Sequence, residues 1–303
     1  MGSIALYSQY FKNLALSDEN LDRLHKIEIE MLRDLDRLCK KYNIKYMLSG
    51  GSVLGAVRHN GFIPWDDDID IMMYRDDYNK LDDAFKEMYG DKYIIKSNDN
   101  DKKFVGKMKK IYLRGTEFVE IEKENYPEET CIFIDVFAID KMPNSKIARK
   151  IRGAIHDFAF LATGAIYCYK YPSKTIMDMA AKDKEVKKFY NKKRIIGAIL
   201  SVFFGFRFYM WLEKKTSRYS NNHSKYEGIP TGIRYNREIF PRDTFRETIL
   251  WDFEGEQFPI PKNYDAYLTN LYGDYMWIPP VEKREIHAVS KLNFGKYGEN
   301  ERD

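Results

Sequence analysis

Apolar side chains recur every three or four positions from Ser17 to Tyr42, at Leu21, Leu24, Ile27, Met31, Leu35, Leu38 and Tyr42, a period that predicts an amphipathic helix. Ser17 stands where an N-cap belongs, Asp18 and Glu19 fill the first turn, and Asn43 ends the run. Ile44 to Leu48 then reads as a short strand, broken by Ser49-Gly50-Gly51-Ser52 and followed by a short helix from Val53 to Arg58. From Asp68 to Tyr74 the pattern alternates, with Asp68, Asp70 and Met72 on one face and Ile69, Ile71 and Met73 on the other. That predicts a second strand. Helical spacing returns over Arg75–Tyr89 through Tyr78, Leu81, Phe85 and Met88. Strand-like segments follow at Tyr93–Lys96, Phe104–Leu113, Thr116–Ile121 and Cys131–Phe137. Helices alternating with strands in this order predict an α+β fold, a mixed sheet flanked by helices.

The pattern changes after Asp140. Ile151 to Tyr171 is apolar and aromatic, Lys182 to Arg194 is heavily basic, and Ile195 to Leu212 holds a single charge, Arg207, in eighteen residues. From Tyr219 the chain is loop-rich, with one more helix predicted at Tyr264–Tyr272 ahead of Pro279-Pro280. A boundary is expected in the 140s. Composition narrows the picture: 44% hydrophobic and 32% charged residues exclude a wholly disordered chain. Fifty basic against 46 acidic residues give +4, too mild a balance to imply nucleic acid. Cys39, Cys131 and Cys168 are far apart and form neither a disulfide framework nor a zinc pattern, which points to a reducing compartment. Met1 to Asn13 shows no basic segment followed by an apolar run and cleavage site, so no signal peptide is expected.

Chemistry concentrates between Leu48 and Tyr74, LSGGSVLGAVRHNGFIPWDDDIDIMMY. Gly50, Gly51 and Ser52, between a strand and a helix, put backbone N–H groups where a phosphate can rest. Asp68 and Asp70, two apart on an apolar strand, point the same way and would repel each other there. A hard divalent cation resolves that repulsion, and Mg²⁺ commonly uses one or two carboxylates together with substrate phosphates. Asp135 stands alone among Ile, Phe and Val in CIFIDVF, an expensive position unless a cation satisfies it. A calcium loop starting at Asp66 fails, because Ile71 occupies its required glycine position and the flanks are strand-like.

Gly-Gly-Ser, then Asp-Ile-Asp, then a lone Asp on a later apolar strand resembles the polymerase-beta-type nucleotidyltransferases, although the spacer from Ser52 to Asp68 is longer than usual. The run GGSVLGAVRHNGFIPWDDDIDIMM more closely resembles the signature of the LicD family. Further likeness lies at FVGKMKKIYLRGTEFVE, CIFIDVFAID and FEGEQFPIPKNYDAYLTNLYGDYMWIPPVEKREIHAV. The resemblance implies a nucleotidyltransferase-like catalytic core at 17–143, a helical, aromatic-rich insertion at 144–222, and a C-terminal segment at 223–303 completing the catalytic domain. It also implies transfer of phosphocholine, or a related phospho-alcohol, from CDP-choline or another CDP-alcohol to a glycan acceptor of the bacterial surface, lipid-linked glycans included. Asp68, Asp70 and Asp135 would hold Mg²⁺ or Mn²⁺, Asp135 would also help deprotonate the acceptor hydroxyl, and Asp66 is a candidate outer-sphere ligand. Gly50, Gly51 and Ser52 would take the nucleotide phosphates. An NTP-dependent nucleotidyltransferase and a non-catalytic membrane-associated scaffold are the competing readings.

A leaving phosphate calls for positive charge. Lys107 and Lys109, two apart on a predicted strand, share one face and are expected to point at the pyrophosphate, with Arg58 and His59 as further candidates. Arg284 and His287 match family positions without a derivable role. Trp65, Tyr235, Trp251 and Trp277 are candidate faces for a choline cation. Ile195–Leu212, flanked by Lys192, Lys193, Arg194, Lys214 and Lys215, fits an interfacial helix with Phe203, Phe204, Phe208, Tyr209 and Trp211 dipping into an anionic surface. A buried helix is the alternative. The expected location is cytoplasmic and peripheral, at the inner face of the cell membrane.

Overall fold

The computed structural model describes residues 15–128, 130–232, 234–284 and 286–298. Helix α1 spans Asp18–Tyr42. Ser17 Oγ accepts the Asn20 N–H at 3.3 Å, and Asn43, left-handed at φ 51°, returns its N–H to the Cys39 carbonyl. The predicted cap and stop both hold. Met1–Asn13, read for a signal peptide, lies outside the described residues.

Along the chain follow β1 (Met47–Leu48), α2 (Gly50–His59), β2 (Ile69–Tyr74), α3 (Arg75–Tyr89), β3 (Tyr93–Lys96), β4 (Lys109–Leu113), β5 (Glu117–Glu120) and β6 (Phe133–Met142). Four helices come next: α4 (Lys146–Lys170), α5 (Lys174–Lys182), α6 (Lys184–Phe203) and α7 (Gly205–Ser217). The chain then returns through β7 (Tyr226–Gly228), β8 (Ile239–Pro241), β9 (Thr248–Phe253), β10 (Glu256–Pro261), α8 (Tyr264–Tyr272) and β11 (Val289–Asn293).

The main sheet runs β1-β2-β6-β4-β3, with β7 on the far end of β6 and β8 beside β7. Only β2 and β6 run parallel, so the sheet is mixed and the fold is α+β. Ile69, Ile71 and Met73 of β2 and Ile134 and Val136 of β6 are buried in one core with Leu24, Leu32, Leu35 and Leu38 of α1. This apolar centre fixes register, since a one-residue slip would turn every buried side chain outward. β2–β6 pairing sets Asp70 opposite Asp135, and β4–β6 pairing sets Lys110 opposite Asp135. At the start of α3, Arg75 Nε donates to buried Asp140 on β6 at 2.9 Å, with a second bond from Nη2.

Several expectations change. The strand read from Phe104 begins only at Lys109, because the Phe104 ring folds back over Gly106, where an added Cβ would meet it at 2.5 Å. The strand read from Ile44 is reduced to the two residues that pair with Met72 and Ile71. Ile195–Leu212 is not one segment but parts of α6 and α7, which meet at 90°. The region read as loop-rich contains the β9–β10 hairpin, whose turn puts Glu254 and Gly255 both at positive φ, 53° and 77°. Among the described residues no single helix is long and apolar enough to cross a membrane.

Candidate active site

Asp68 is the last loop residue before β2 and Asp70 the second residue of the strand, so alternation sends both to one face. Asp135 occupies the matching position on β6. One carboxylate oxygen from each of Asp68, Asp70 and Asp135 lies within 4.8 Å of the others, and Asp66, Asp67 and Asp68 form a second such group. Three carboxylates from two distant stretches therefore converge. Burial raises Asp68 to about 7, with Asp67 and Asp135 adding to the rise while His287 and Lys110 oppose it. Burial first, then repulsion from Asp68 and Asp135, raises Asp70 well above its ordinary range, and Asp66 rises for the same kind of reason. Such an array accumulates protons unless a cation shares it.

Behind the array sits Glu28 of α1, fully buried, with Oε2 lacking a hydrogen-bond partner and its carboxyl raised well above the usual range by burial and the four aspartates at 66, 67, 68 and 70. Its signal was in the sequence: Glu28 follows Leu21 by seven and Leu24 by four, inside the apolar stripe of the helix.

The glycine motif opens α2 rather than preceding it. Gly50 sits at φ +46°, and a Cβ there would lie 2.7 Å from Asp70 Oδ2; on Gly51 it would lie 2.7 Å from Asp66 Oδ2. Glycine at both positions lets the carboxylates lie against the helix start. Gly50 N–H donates to the Tyr267 hydroxyl at 3.0 Å, and that hydroxyl also bonds Ser49 Oγ at 3.1 Å. Ser52 Oγ is buried and accepts the Asp70 N–H at 2.8 Å. Its hydroxyl thus braces β2 rather than facing outward as part of a turn. Tyr267, far off in sequence, gave no signal of this role.

The predicted lysines do not reach the acids. Lys109 is opposite Val136 and turns to the other side of the sheet, where Nζ donates to the Tyr78 carbonyl at 2.7 Å and bonds Asp82. Lys107 lies in the loop before β4, its Nζ 3.9 Å from the centre of the Phe160 ring. The physical reason is register. Lys110, in the row of Asp70 and Asp135, takes the place expected of its neighbours, with Nζ 2.7 Å from Asp135 Oδ1 as an ion pair and 3.2 Å above the Phe133 ring.

The C-terminal segment closes over the acidic loop. His287 Nδ1 lies 2.6 Å from Asp67 Oδ1, and the Asp67 carboxylate raises the imidazole well above its ordinary value. About half of the His287 side chain still faces solvent. The Arg284 guanidinium covers the Trp65 ring at 3.9 Å, and His59 meets the same ring edge-on. Arg58 donates to the Tyr275 and Trp277 carbonyls at 2.9 and 3.1 Å, and its Nε to His59 Nε2 at 2.9 Å. Arg58 is thereby committed to holding the 275–277 loop, and burial lowers the pKa of His59. Among the aromatic candidates, Tyr235 is wholly buried, Trp251 bonds the Ala56 carbonyl, and Trp65 carries Arg284; Trp277 is exposed.

Residues 43–160, which span β1, the glycine helix, all three aspartates and Lys110, match the family described as LicD/FKTN/FKRP, nucleotidyltransferase domain. That stretch carries a LicD family domain. Over 284 residues, 92% of this chain and 98% of the relative, it is 29% identical to the lipopolysaccharide cholinephosphotransferase LicD of Haemophilus influenzae. An uncharacterized protein of Rickettsia typhi is 36% identical over 97 residues, 29% of this chain and 30% of its own. The human ribitol 5-phosphate transferase FKRP is 53% identical over 34 residues, 11% of this chain and 7% of its own.

Proposed function

We propose that this protein is a metal-dependent phosphotransferase with a nucleotidyltransferase-like core, moving phosphocholine or a related phospho-alcohol from a CDP-activated donor to a hydroxyl of a cell-surface glycan and releasing CMP. The observation that carries this reading is the meeting of Asp68, Asp70 and Asp135 within 4.8 Å beside Lys110. The cholinephosphotransferase named among its relatives supports the choice of transferred group. Mg²⁺ or Mn²⁺ suits an all-carboxylate set crowded enough to push its own pKa values up. When bound at Asp68, Asp70 and Asp135, such an ion would supply Lewis-acid polarisation of the phosphoryl group and offset charge on the departing CMP.

The chain's own groups do the rest. Backbone N–H groups at the start of α2 face the donor diphosphate, where a helix N-terminus favours negative charge. Lys110 and the half-exposed His287 add positive charge to the same cleft. The acceptor oxygen forms a bond to the phosphorus bearing the alcohol, the bond from that phosphorus to the bridging oxygen breaks, and CMP departs with the electron pair. The hydroxyl proton passes to Asp135. Trp277 is the exposed aromatic face for a choline headgroup.

The test is purified protein with CDP-choline, CDP-glycerol, CDP-ribitol or CTP and a lipopolysaccharide glycan as acceptor, with and without Mg²⁺, read by thermal shift and by product. CMP release from CDP-choline, abolished in Asp70→Asn, is the expected result. Pyrophosphate release from CTP would assign the NTP-dependent reaction instead, and no divalent-ion binding by calorimetry would leave a scaffold.

A further inference from the structure

α6 and α7 form an elbow that the reaction does not use. They meet at 90° around Phe204, with Gly205 at φ +66° in the turn. Along α6 the exposed residues Lys188, Lys192, Ile195, Ile199 and Val202 are spaced four, three, four and three, one stripe of a helix. Along α7 the exposed residues Phe204, Phe208, Trp211 and Lys215 repeat that spacing. Read outward from the elbow, α6 is apolar on this stripe for about two turns and then basic; α7 follows the same order except for exposed Arg207, which stands one turn before Trp211 on that face.

This face is not spare core. The inner side of α6 already packs so closely on α4 that a Cβ on Gly197 would stand 1.9 Å from the Ala165 carbonyl oxygen. Tyr209, expected to dip outward, is instead buried between α4 and α7 with Ala159, Ala162 and Ile166. At the apex, Val202 is 81% exposed, Phe203 70% and Phe204 62%. The rings are continuous, Phe204 stacking on Phe208 at 4.7 Å and Phe208 on Trp211 at 6.0 Å. No Asp or Glu lies between Glu185 and Glu213, while Lys187, Lys188, Lys192 and Arg207 are exposed there, with exposed Lys215 just beyond.

We propose that the elbow is a wedge that seats the protein on an anionic lipid bilayer, a property separate from the transfer chemistry. From Val202 to Lys192 and from Phe204 to Lys215 each arm covers about 15 Å of helix axis. With the elbow pointing inward and each arm near 45°, both sets of lysines stand about 11 Å above the apex. That height places the apolar apex at the acyl boundary and the lysines among headgroups. Trp211 falls between them, at the depth tryptophan favours. The far ends of both arms are rooted in the same protein body, α6 through α5 and α7 through β7, so the pair enters and leaves one leaflet rather than crossing. A second copy of the chain fits less well, because pairing elbow to elbow would face lysines with lysines.

The whole protein is mixed with vesicles of phosphatidylcholine alone, or of phosphatidylcholine and phosphatidylglycerol at three to one, and followed by co-sedimentation. Brominated-acyl lipids then quench tryptophan emission, with Trp211→Phe as the control. Binding at least tenfold tighter to the anionic vesicles, quenching lost in Trp211→Phe, and a tenfold loss both in Phe203→Ser/Phe204→Ser and in Lys188→Glu/Lys192→Glu/Lys215→Glu are expected. Wild-type protein that ignores anionic vesicles, or equal quenching with and without Trp211, would overturn the proposal and needs no folded variant. Vesicle binding without CMP release would sink the transferase reading alone. A concentration-dependent dimer abolished by Phe203→Ser/Phe204→Ser, with no vesicle binding, would give the surface to self-association.

Discussion

Replacing Asp68 by Asn separates what the acidic cluster does for the reaction from what it does to the fold. In the folded protein Asp68 keeps its proton to about pH 7, against 3.8 for an unperturbed side chain. Between those values the folded chain binds more protons than the unfolded one, so stability falls as pH rises from about 4 to about 7. At about 1.4 kcal/mol per tenfold the full rise amounts to about 4 kcal/mol. Solvent in the cleft and repulsion shared with Asp67 and Asp135 reduce what one substitution recovers to about 1–3 kcal/mol. Asn, neutral at every pH, should therefore stabilise the metal-free protein by about 2–5 °C at pH 8 and by about four-tenths as much at pH 5. The assay is calorimetry of both proteins in EDTA at the two pH values, repeated with Mn²⁺ and paired with CMP release. Wild type should gain stability with Mn²⁺ while Asp68→Asn does not, and turnover should drop by at least about 10²–10³-fold. An Asp68→Asn protein less stable than wild type in EDTA at pH 8, or one with an unchanged Mn²⁺ shift, refutes the electrostatic account.

Gly50→Ala puts a side chain at φ +46° and against Asp70 Oδ2; a loss of about 1–2 kcal/mol by thermal denaturation, with weaker Mn²⁺ binding by calorimetry, is expected. Lys110→Met leaves the buried Asp135 carboxylate without its cation and should both lower kcat about 10²-fold and cost about 1–3 kcal/mol of stability. Lys109→Met, which leaves Asp82 and the Tyr78 carbonyl without their cation, should also cost about 1–3 kcal/mol of stability but spare kcat; urea melts follow the stability and initial rates the turnover, and the reverse pattern in the rates would return the site to Lys109. Tyr267→Phe removes the hydroxyl shared by Ser49 and Gly50 and should cost about 1–3 kcal/mol and reduce CMP release, checked by the same two measurements.

Periodicity made α1 legible to its cap, and alternation made the shared face of Asp68 and Asp70 legible, because both depend on neighbours within one element. The meeting of Asp70 with Asp135 was open to inference from two costly carboxylates on apolar strands. Which lysine joined them was not. Lys107 falls in the loop before β4, and Lys109 and Lys110 differ only in how β4 registers on β6; register is set by core packing of Ile111 and Ile134 that no local spacing encodes. Tyr267 and His287 reach the site through α8 and β11, which lie more than 200 residues after the groups they touch. Glu28 was readable and overlooked, a charge whose helical neighbours Leu24, Met31 and Leu32 are all core.

The charge pattern of the site follows from that late closure. Asp66, Asp67, Asp68 and Asp70 come from one short stretch and Asp135 from a strand laid beside it, so proximity in the chain assembles repulsion first. The balancing cations arrive from elsewhere: Lys110 across the sheet, and His287 with Arg284 on the segment that β11 holds against β5. Each meets a different part of the acidic run, His287 at Asp67 and Lys110 at Asp135, and neither ion pair takes up Asp68 or Asp70. The three carboxylates left without a fixed cation, Asp66, Asp68 and Asp70, are the ones whose protons burial and repulsion hold. Under the proposed reaction, a donor diphosphate would add negative charge beside carboxylates that already keep protons to avoid their own repulsion, so it would be required to bring, or find, a divalent positive charge. That requirement separates this cleft from a merely acidic surface, where solvent would have screened the same aspartates and left their pKa values low.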